Sequence, residues 1–261
     1  MSFYSITSLY SGSKGNSVLI ESKNASILID AGKSARALCS SLAEIGKSID
    51  DIDAIFITHE HSDHISALGV LLKHHKIPVH AVSLSAQKML LRGLEPYSDL
   101  VIQHSPIFTE AVGDITVTSF QTPHDSDFSV GYRISVGEGE DISLIGYATD
   151  IGHVSSEVRN ALLGCESVVL ECNHDIDMLM KGPYPYDLKL RIKSNRGHLS
   201  NEACSSFASE LILEGTKNIL LAHLSEENNE IYIAYDTVWS AIADESVNLK
   251  VALQNGAVKL I

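Results

Sequence analysis

A chain of 261 residues that is 44% hydrophobic and 20% charged can bury a sizeable core, which excludes a disordered polypeptide. Its formal net charge of -14 excludes a surface that wraps a polyanion over most of its area, although a local patch of positive charge could still hold phosphate. Cys39, Cys165, Cys172 and Cys204 show no paired spacing, no basic and apolar leader opens the chain, and no apolar run is long enough to cross a bilayer, so the expectation is a cytoplasmic protein with reduced thiols and no membrane partner.

In chain order, residues 3–9 and 16–21 read as strands around a turn-rich loop, Ser11-Gly12-Ser13-Lys14-Gly15-Asn16. A third strand over 26–30 ends in Asp30, an acid expected to hydrogen-bond the next loop. Residues 34–45 have helical periodicity with Ser34 as cap. The apolar run Ala54-Ile55-Phe56-Ile57 then reads as a buried strand leading into Thr58-His59-Glu60-His61-Ser62-Asp63-His64.

That polar stretch points to metal. From the chain's own His and Asp frequencies, HxHxDH arises by chance in on the order of one in a thousand chains of this length. Side chains two apart in an extended segment point the same way, so His59 and His61 can face one ion while Asp63 and His64 turn toward a neighbouring point. Mixed imidazole and carboxylate ligands suit zinc, manganese or iron rather than calcium.

Further on, helices are expected at about 65–75 and 85–94, with a short strand over 79–82 between them. Strands over 115–120, 129–136 and 142–148 follow, then a helix over 155–163, a strand over 167–170, a helix through 202–213 capped by Ser200 or Asn201, and a strand over 218–222. A helix over 229–244 and a closing pair of strands over 249–253 and 257–260 complete the chain. His124, Asp150 and His223 each follow an apolar strand, as the histidine block does, so all of them can meet at one sheet edge. Two halves, each a run of strands and then alternating strands and helices, imply two packed sheets with helices outside.

The segment 181–196 is the basic strip of an acidic chain, with Lys181, Lys189, Arg191, Lys193 and Arg196 against Asp187. It reads either as a solvated helix face or as a phosphate grip. His198 follows at once in Gly197-His198-Leu199-Ser200-Asn201, at a helix start. His74, His75, His80, His104 and His153 carry no matched spacing and read as surface or core residues.

Together these residues resemble the metallo-β-lactamase fold superfamily, in an order that matches along nearly the whole chain. Within it the chain is similar to the WalJ (YycJ-like) group of bacterial hydrolases, through Ser11-Gly12-Ser13-Lys14-Gly15-Asn16-Ser17, Tyr147-Ala148-Thr149-Asp150, Glu171-Cys172-Asn173-His174-Asp175, Gly197-His198-Leu199-Ser200-Asn201 and Ala222-His223-Leu224-Ser225. More distantly it resembles the phosphodiesterase branch containing tRNase Z, RNase J and PhnP, without room between Asp150 and His223 for the β-CASP insertion of RNase J. The resemblance implies an α/β fold, a four-layer αββα sandwich of two mixed sheets, as a single domain over 1–261.

It also implies two divalent metal ions, zinc or manganese with iron as a further option: one on His59, His61 and His124, the other on Asp63, His64 and His223, with Asp150 bridging. His198 would donate a proton to the leaving oxygen and Glu171 would orient it, making Asp63, His198 and Glu171 the catalytic groups, with His174 a further candidate from the same loop. The implied activity is phosphodiester hydrolysis, as a DNA exonuclease, with Lys189, Arg191, Lys193 and Arg196 on the backbone phosphates. Two alternatives stay open: a hydrolase of a small cyclic phosphate, lactone or thioester, and a metal-stabilised regulatory protein without turnover.

Overall fold

Short β-branched and leucine-rich runs separated by turn formers build the first sheet. β1 (Ser5–Tyr10), β2 (Ser17–Glu21) and β3 (Ser26–Ile29) form an antiparallel meander. α1 (Ala35–Glu44) follows, its first turn closed by the Ser34 side chain accepting from the Ala37 amide. β4 (Ala54–Phe56), α2 (Ser62–Ile65), α3 (Leu68–His74), β5 (Val79–Val82), α4 (Ser83–Met89) and β6 (Val101–His104) then add parallel strands. The structure is a computed structural model and describes residues 4–139 and 141–261, so residue 3 of the strand expected over 3–9 lies outside it.

The second half repeats the plan. β7 (Thr109–Val112), β8 (Ile115–Thr122), β9 (Ser129–Glu138) and β10 (Asp141–Ala148) form the meander. α5 (Ser156–Leu162), β11 (Ser167–Glu171), α6 (Ile176–Lys181), α7 (Tyr186–Lys193), α8 (Asn201–Leu213), β12 (Asn218–Ala222), α9 (Ile231–Ile242) and β13 (Asn248–Val251) supply the parallel strands and their crossovers. β14 (Val258–Lys259) ends the chain.

Two seven-stranded mixed sheets result, in the orders β14-β1-β2-β3-β4-β5-β6 and β13-β12-β11-β10-β9-β8-β7. Their facing sides share one apolar core that includes Ile20, Ile27, Phe56, Tyr132, Ile145 and Leu220. The helices of the first half cover the outer face of their sheet through Leu38, Leu42, Leu68 and Leu71, and those of the second half do the same through Leu162, Phe207, Leu211 and Val238. The expected αββα layering is therefore present.

Three local expectations change. The helix expected over 65–75 is two, α2 and α3, so Asp63 and His64 lie inside a helix whose N-cap is His61. β6, β7 and α6 lacked a readable period because each spans only four to six residues and carries exposed polar side chains. The closing strands do not pair with each other: β13 lies parallel to β12, while β14 crosses to the other sheet and pairs with β1 at Thr7↔Lys259. Among the described residues no helix is long and apolar enough to cross a membrane, and the four cysteines are free thiols.

Candidate metal centre

The carboxyl ends of β4, β10, β11 and β12 open at one edge of the sandwich, beside the end of β8, as ligand sites in open parallel sheets do. Beyond β4, the Thr58 amide donates to Asp30 Oδ1 at 2.8 Å. The chain bends at Thr58 and again at Glu60, yet His59 and His61 still face each other, Nε2 to Nδ1 at 3.0 Å, while Glu60 turns away from them. Glu60 is buried there, its carboxylate 3.0 Å from both Lys88 Nζ and Ser85 Oγ. α2 then turns His64 inward, with its Nδ1 2.8 Å from Asp30 Oδ2. Gly32 permits this packing: a Cβ there would sit 1.9 Å from the Asp63 carbonyl oxygen.

The other groups arrive from the second half. His124 follows β8; its Nδ1 lies 3.2 Å from the Gly197 carbonyl oxygen, and its own carbonyl accepts from Arg196 Nε and a terminal guanidinium nitrogen at 3.0 and 2.9 Å. Asp150 follows β10 and His223 follows β12, with φ of 56° and 58°; Asp30, after β3, has φ of 63°. Left-handed backbone at three non-glycine strand ends is costly and persists only where the surroundings enforce it. At His223 the enforcement includes its amide donating to Ser11 Oγ at 2.8 Å.

Ligand atoms of His59, His61 and His124 lie within 4.8 Å of one another, as do those of Asp63, His64 and His223, and those of His59, His64 and Asp150. His59 Nε2 is 3.0 Å from His61 Nδ1, and His64 Nε2 is 3.1 Å from Asp63 Oδ2 and 3.2 Å from Asp150 Oδ2. His223 Nε2 stands 3.6 Å from both Asp63 Oδ2 and Asp150 Oδ1. Four of the rings have Nδ1 held from behind: His59 by Thr58 Oγ1 at 3.1 Å, His64 by Asp30, His124 by the Gly197 carbonyl, and His223 by Glu171 Oε1 at 3.0 Å. Such outer partners fix a metal-binding imidazole's tautomer and aim.

Inside the cluster, Asp150 Oδ2 and His223 Nε2 are buried without a partner in hydrogen-bonding geometry among the described residues. Buried lone-pair atoms without partners, an oxygen and a nitrogen converging from separate strands, fit divalent cations. The charges agree. Burial, helped by the His64 charge, holds His59 well below its usual pKa, and burial also lowers His124, so both keep a free lone pair. Burial also opposes charge on His223, but Asp150, Asp63 and Glu171 overcome it and push the ring up to about 10. The same carboxylates would face a bound cation.

Glu171, at the end of β11, is fully buried, and its Oε1 lies 2.8 Å from His198 Nδ1. Its Oε2 accepts from the Ile151 and Leu199 amides at 2.8 and 3.1 Å. Burial pulls the His198 pKa down, but Glu171 and then Asp150 outweigh it and raise it. His198 Nε2 has no hydrogen-bond partner among the described residues, and the residue lines a cavity of about 390 Å³ with His61, Asp63, His124, Asp150 and His223. His174 is buried and does not line that cavity.

The basic strip divides. Lys189 is a correction: it is buried in α7, and its ammonium donates to the Met180 and Gly182 carbonyls at 2.9 and 2.7 Å, closing the end of α6 rather than meeting solvent. Arg196 is tied to the His124 and Ser126 carbonyls, so it supports the His124 loop. Arg191 lines the cavity and donates from Nε to Asp125 Oδ2 at 2.6 Å. Lys193 is exposed.

Sequence reasoning assigned no role to Ser13, Asp125, Asn173, Tyr184, Leu188, Ile192 or Ser225, which also line the cavity. Asn16 was also passed over, although its Nδ2 lies 3.3 Å from Asp63 Oδ2. Asn16 and Asn173 sit in two of the stretches that carried the resemblance, and that was the available signal.

Residues 11–158 match the family described as the Metallo-beta-lactamase superfamily. The chain belongs to that superfamily. Exodeoxyribonuclease WalJ of Streptococcus pneumoniae serotype 2 is 36% identical over 252 residues, covering 95% of this chain and 91% of that protein. Exodeoxyribonuclease YycJ of Bacillus anthracis is 33% identical over 248 residues, covering 94% of this chain and 92% of its own. The solved structure of human tRNase Z, short form, shares the metallo-β-lactamase fold with a TM-score of 0.67 at 17% identity, over 98% of this chain and 99% of that one.

Proposed function

We propose that this chain is a binuclear metal-dependent phosphodiester hydrolase that removes nucleotides from DNA ends, working as one metallo-β-lactamase domain. The observation that carries the reading is the buried Glu171 behind His198, 2.8 Å away, at the rim of the cluster headed by His59. His59, His61 and His124 would hold one cation and Asp63, His64 and His223 the other, with Asp150 available to both. The donor set suits zinc or manganese, and iron after them. When bound, such a pair supplies water of lowered pKa and positive charge opposite the phosphoryl oxygens.

The protein's own groups supply the rest. A sugar alkoxide is a poor leaving group and needs a proton, whereas a β-lactam amine or a thiolate manages with less help. His198 gives that proton from Nε2 while Glu171 keeps Nδ1 fixed and the ring charged. The cavity, about 390 Å³, is near the lower end for small-ligand pockets and suits a terminal nucleotide better than a continuous duplex. Arg191 on its wall and the exposed Lys193, which follows the wall residue Ile192 in α7, meet the adjoining phosphates. Two close relatives named as exodeoxyribonucleases over nearly their whole length support DNA as the substrate.

The test is cleavage of end-labelled DNA and RNA by protein reconstituted with zinc or with manganese, next to an aryl phosphodiester and a lactone. Stepwise shortening of DNA is expected. Turnover of the lactone alone, with intact DNA, would overturn the reading.

A further inference from the structure

Outside that cavity, a second group of ligand-type side chains meets. His80 on β5, His104 on β6 and Glu110 on β7 each offer one ligand atom within 4.8 Å of the others. His80 Nδ1 faces His104 Nε2 at 2.9 Å. The two rings are nearly parallel, at 16°, and form a column with Phe56 stacked on His80 and Phe108 stacked on His104 at ring separations of 4.6 and 4.0 Å. That column fixes the planes of both imidazoles before anything binds, as a ligand site requires. His80 is only 4% exposed, so its nitrogen is shielded from bulk water.

The position in the fold gives the group a purpose. β6 is the outer strand of one sheet and β7 the outer strand of the other, so Glu110 approaches the two imidazoles across the open side of the sandwich. A four-residue chain link joins these two strands. Two imidazoles and one carboxylate are a ligand set that zinc takes with water in its fourth position, and the carboxylate brings part of the neutralising charge. None of the three residues belongs to the cluster around His59.

We propose that His80, His104 and Glu110 form a structural zinc site, separate from the catalytic cluster, that fastens the edge of one sheet to the edge of the other. The inference does not depend on the nuclease reading. Protein stripped with chelator and titrated with zinc alone should bind about three ions per chain, counted by mass spectrometry of the dialysed protein. His104→Ala should bind about two, with DNA cleavage within about twofold of wild type and a smaller zinc-induced rise in melting temperature. Glu110→Gln, which keeps the shape of the side chain, should weaken the third ion about tenfold or more. In a His59→Ala/His223→Ala background one ion should remain, with the absorption of nitrogen-ligated cobalt when cobalt replaces zinc. Equal zinc content in wild type and His104→Ala, or no ion left in that double variant, would leave a plain His80–His104 hydrogen bond and overturn the proposal.

Discussion

His198 Nδ1 stands 2.8 Å from Glu171 Oε1, an oxygen that also lies 3.0 Å from His223 Nδ1. One buried carboxylate thus holds both the proposed proton donor and a proposed metal ligand. Burial works against its charge, but His198 and His223 hold its pKa down to about 2, so it stays ionised at working pH. Through Oε2 it also fixes the backbone that follows Asp150 and His198.

Glu171→Gln keeps the shape and removes the charge. The His198 pKa, raised by that carboxylate, should fall, so the protonated acid is lost at lower pH and the alkaline limb of the rate profile shifts down. Cation affinity should drop roughly 10- to 100-fold because His223 loses its support. A pH–rate profile and a zinc titration check both; an unmoved alkaline limb sinks the orienting role.

His198→Ala should lower the rate on DNA about 10²- to 10⁴-fold while leaving the two proposed catalytic cations in place. An aryl phosphodiester, whose phenolate leaves without a proton, should lose far less. Equal losses on both substrates would mean that His198 does something other than protonate.

Gly32→Ala tests the backbone contact under the ligand helix. The added methyl would meet the Asp63 carbonyl at 1.9 Å and the Asn16 amide nitrogen at 2.6 Å, both main-chain atoms. A stability loss of about 1–3 kcal/mol in urea denaturation is expected, together with weaker metal binding as α2 is displaced. Wild-type metal affinity in this variant would show that Asp63 does not need the tight fit.

His174 gives the pH dependence a handle outside the cluster. Burial lowers its pKa to about 4, against an ordinary value of 6.5. Between those values the unfolded chain binds a proton that the folded chain refuses, so stability is complete above about pH 6.5 and declines toward pH 4. From pH 7 to 4.5 wild type should lose about 2–3 kcal/mol more than His174→Leu, the difference cancelling titrations common to both proteins. Parallel urea midpoints across that range would refute the buried neutral imidazole.

Arg191→Ala should weaken DNA binding across all sequences and flatten the salt dependence by about one ion, as loss of a phosphate contact does. Lys189→Ala should leave the salt slope unchanged and instead lower the melting temperature, since its ammonium serves two carbonyls. A change of slope in Lys189→Ala would reverse the correction made for that residue.

The amino-acid sequence by itself determined which side chains are chemically able to bind metal, because His59, His61, Asp63 and His64 occupy one contiguous segment whose local geometry follows from short-range sterics. It also determined that Asp30, His124, Asp150 and His223 follow apolar strands, but the Asp30 carboxylate, expected to bond the loop next after it, instead takes Thr58, 28 residues on and beyond β4. Only the tertiary structure decided what each group faces. Lys189 and Arg191 are two residues apart on one helix, yet one is buried against carbonyls and the other lines the cavity, a difference set by α6 and by Asp125 from a distant loop. His80, His104 and Glu110 have no common spacing and meet only because the outer strands of two sheets end up side by side. Chemical identity is local to a residue, whereas partners, burial and charge depend on which remote segments the core packs together.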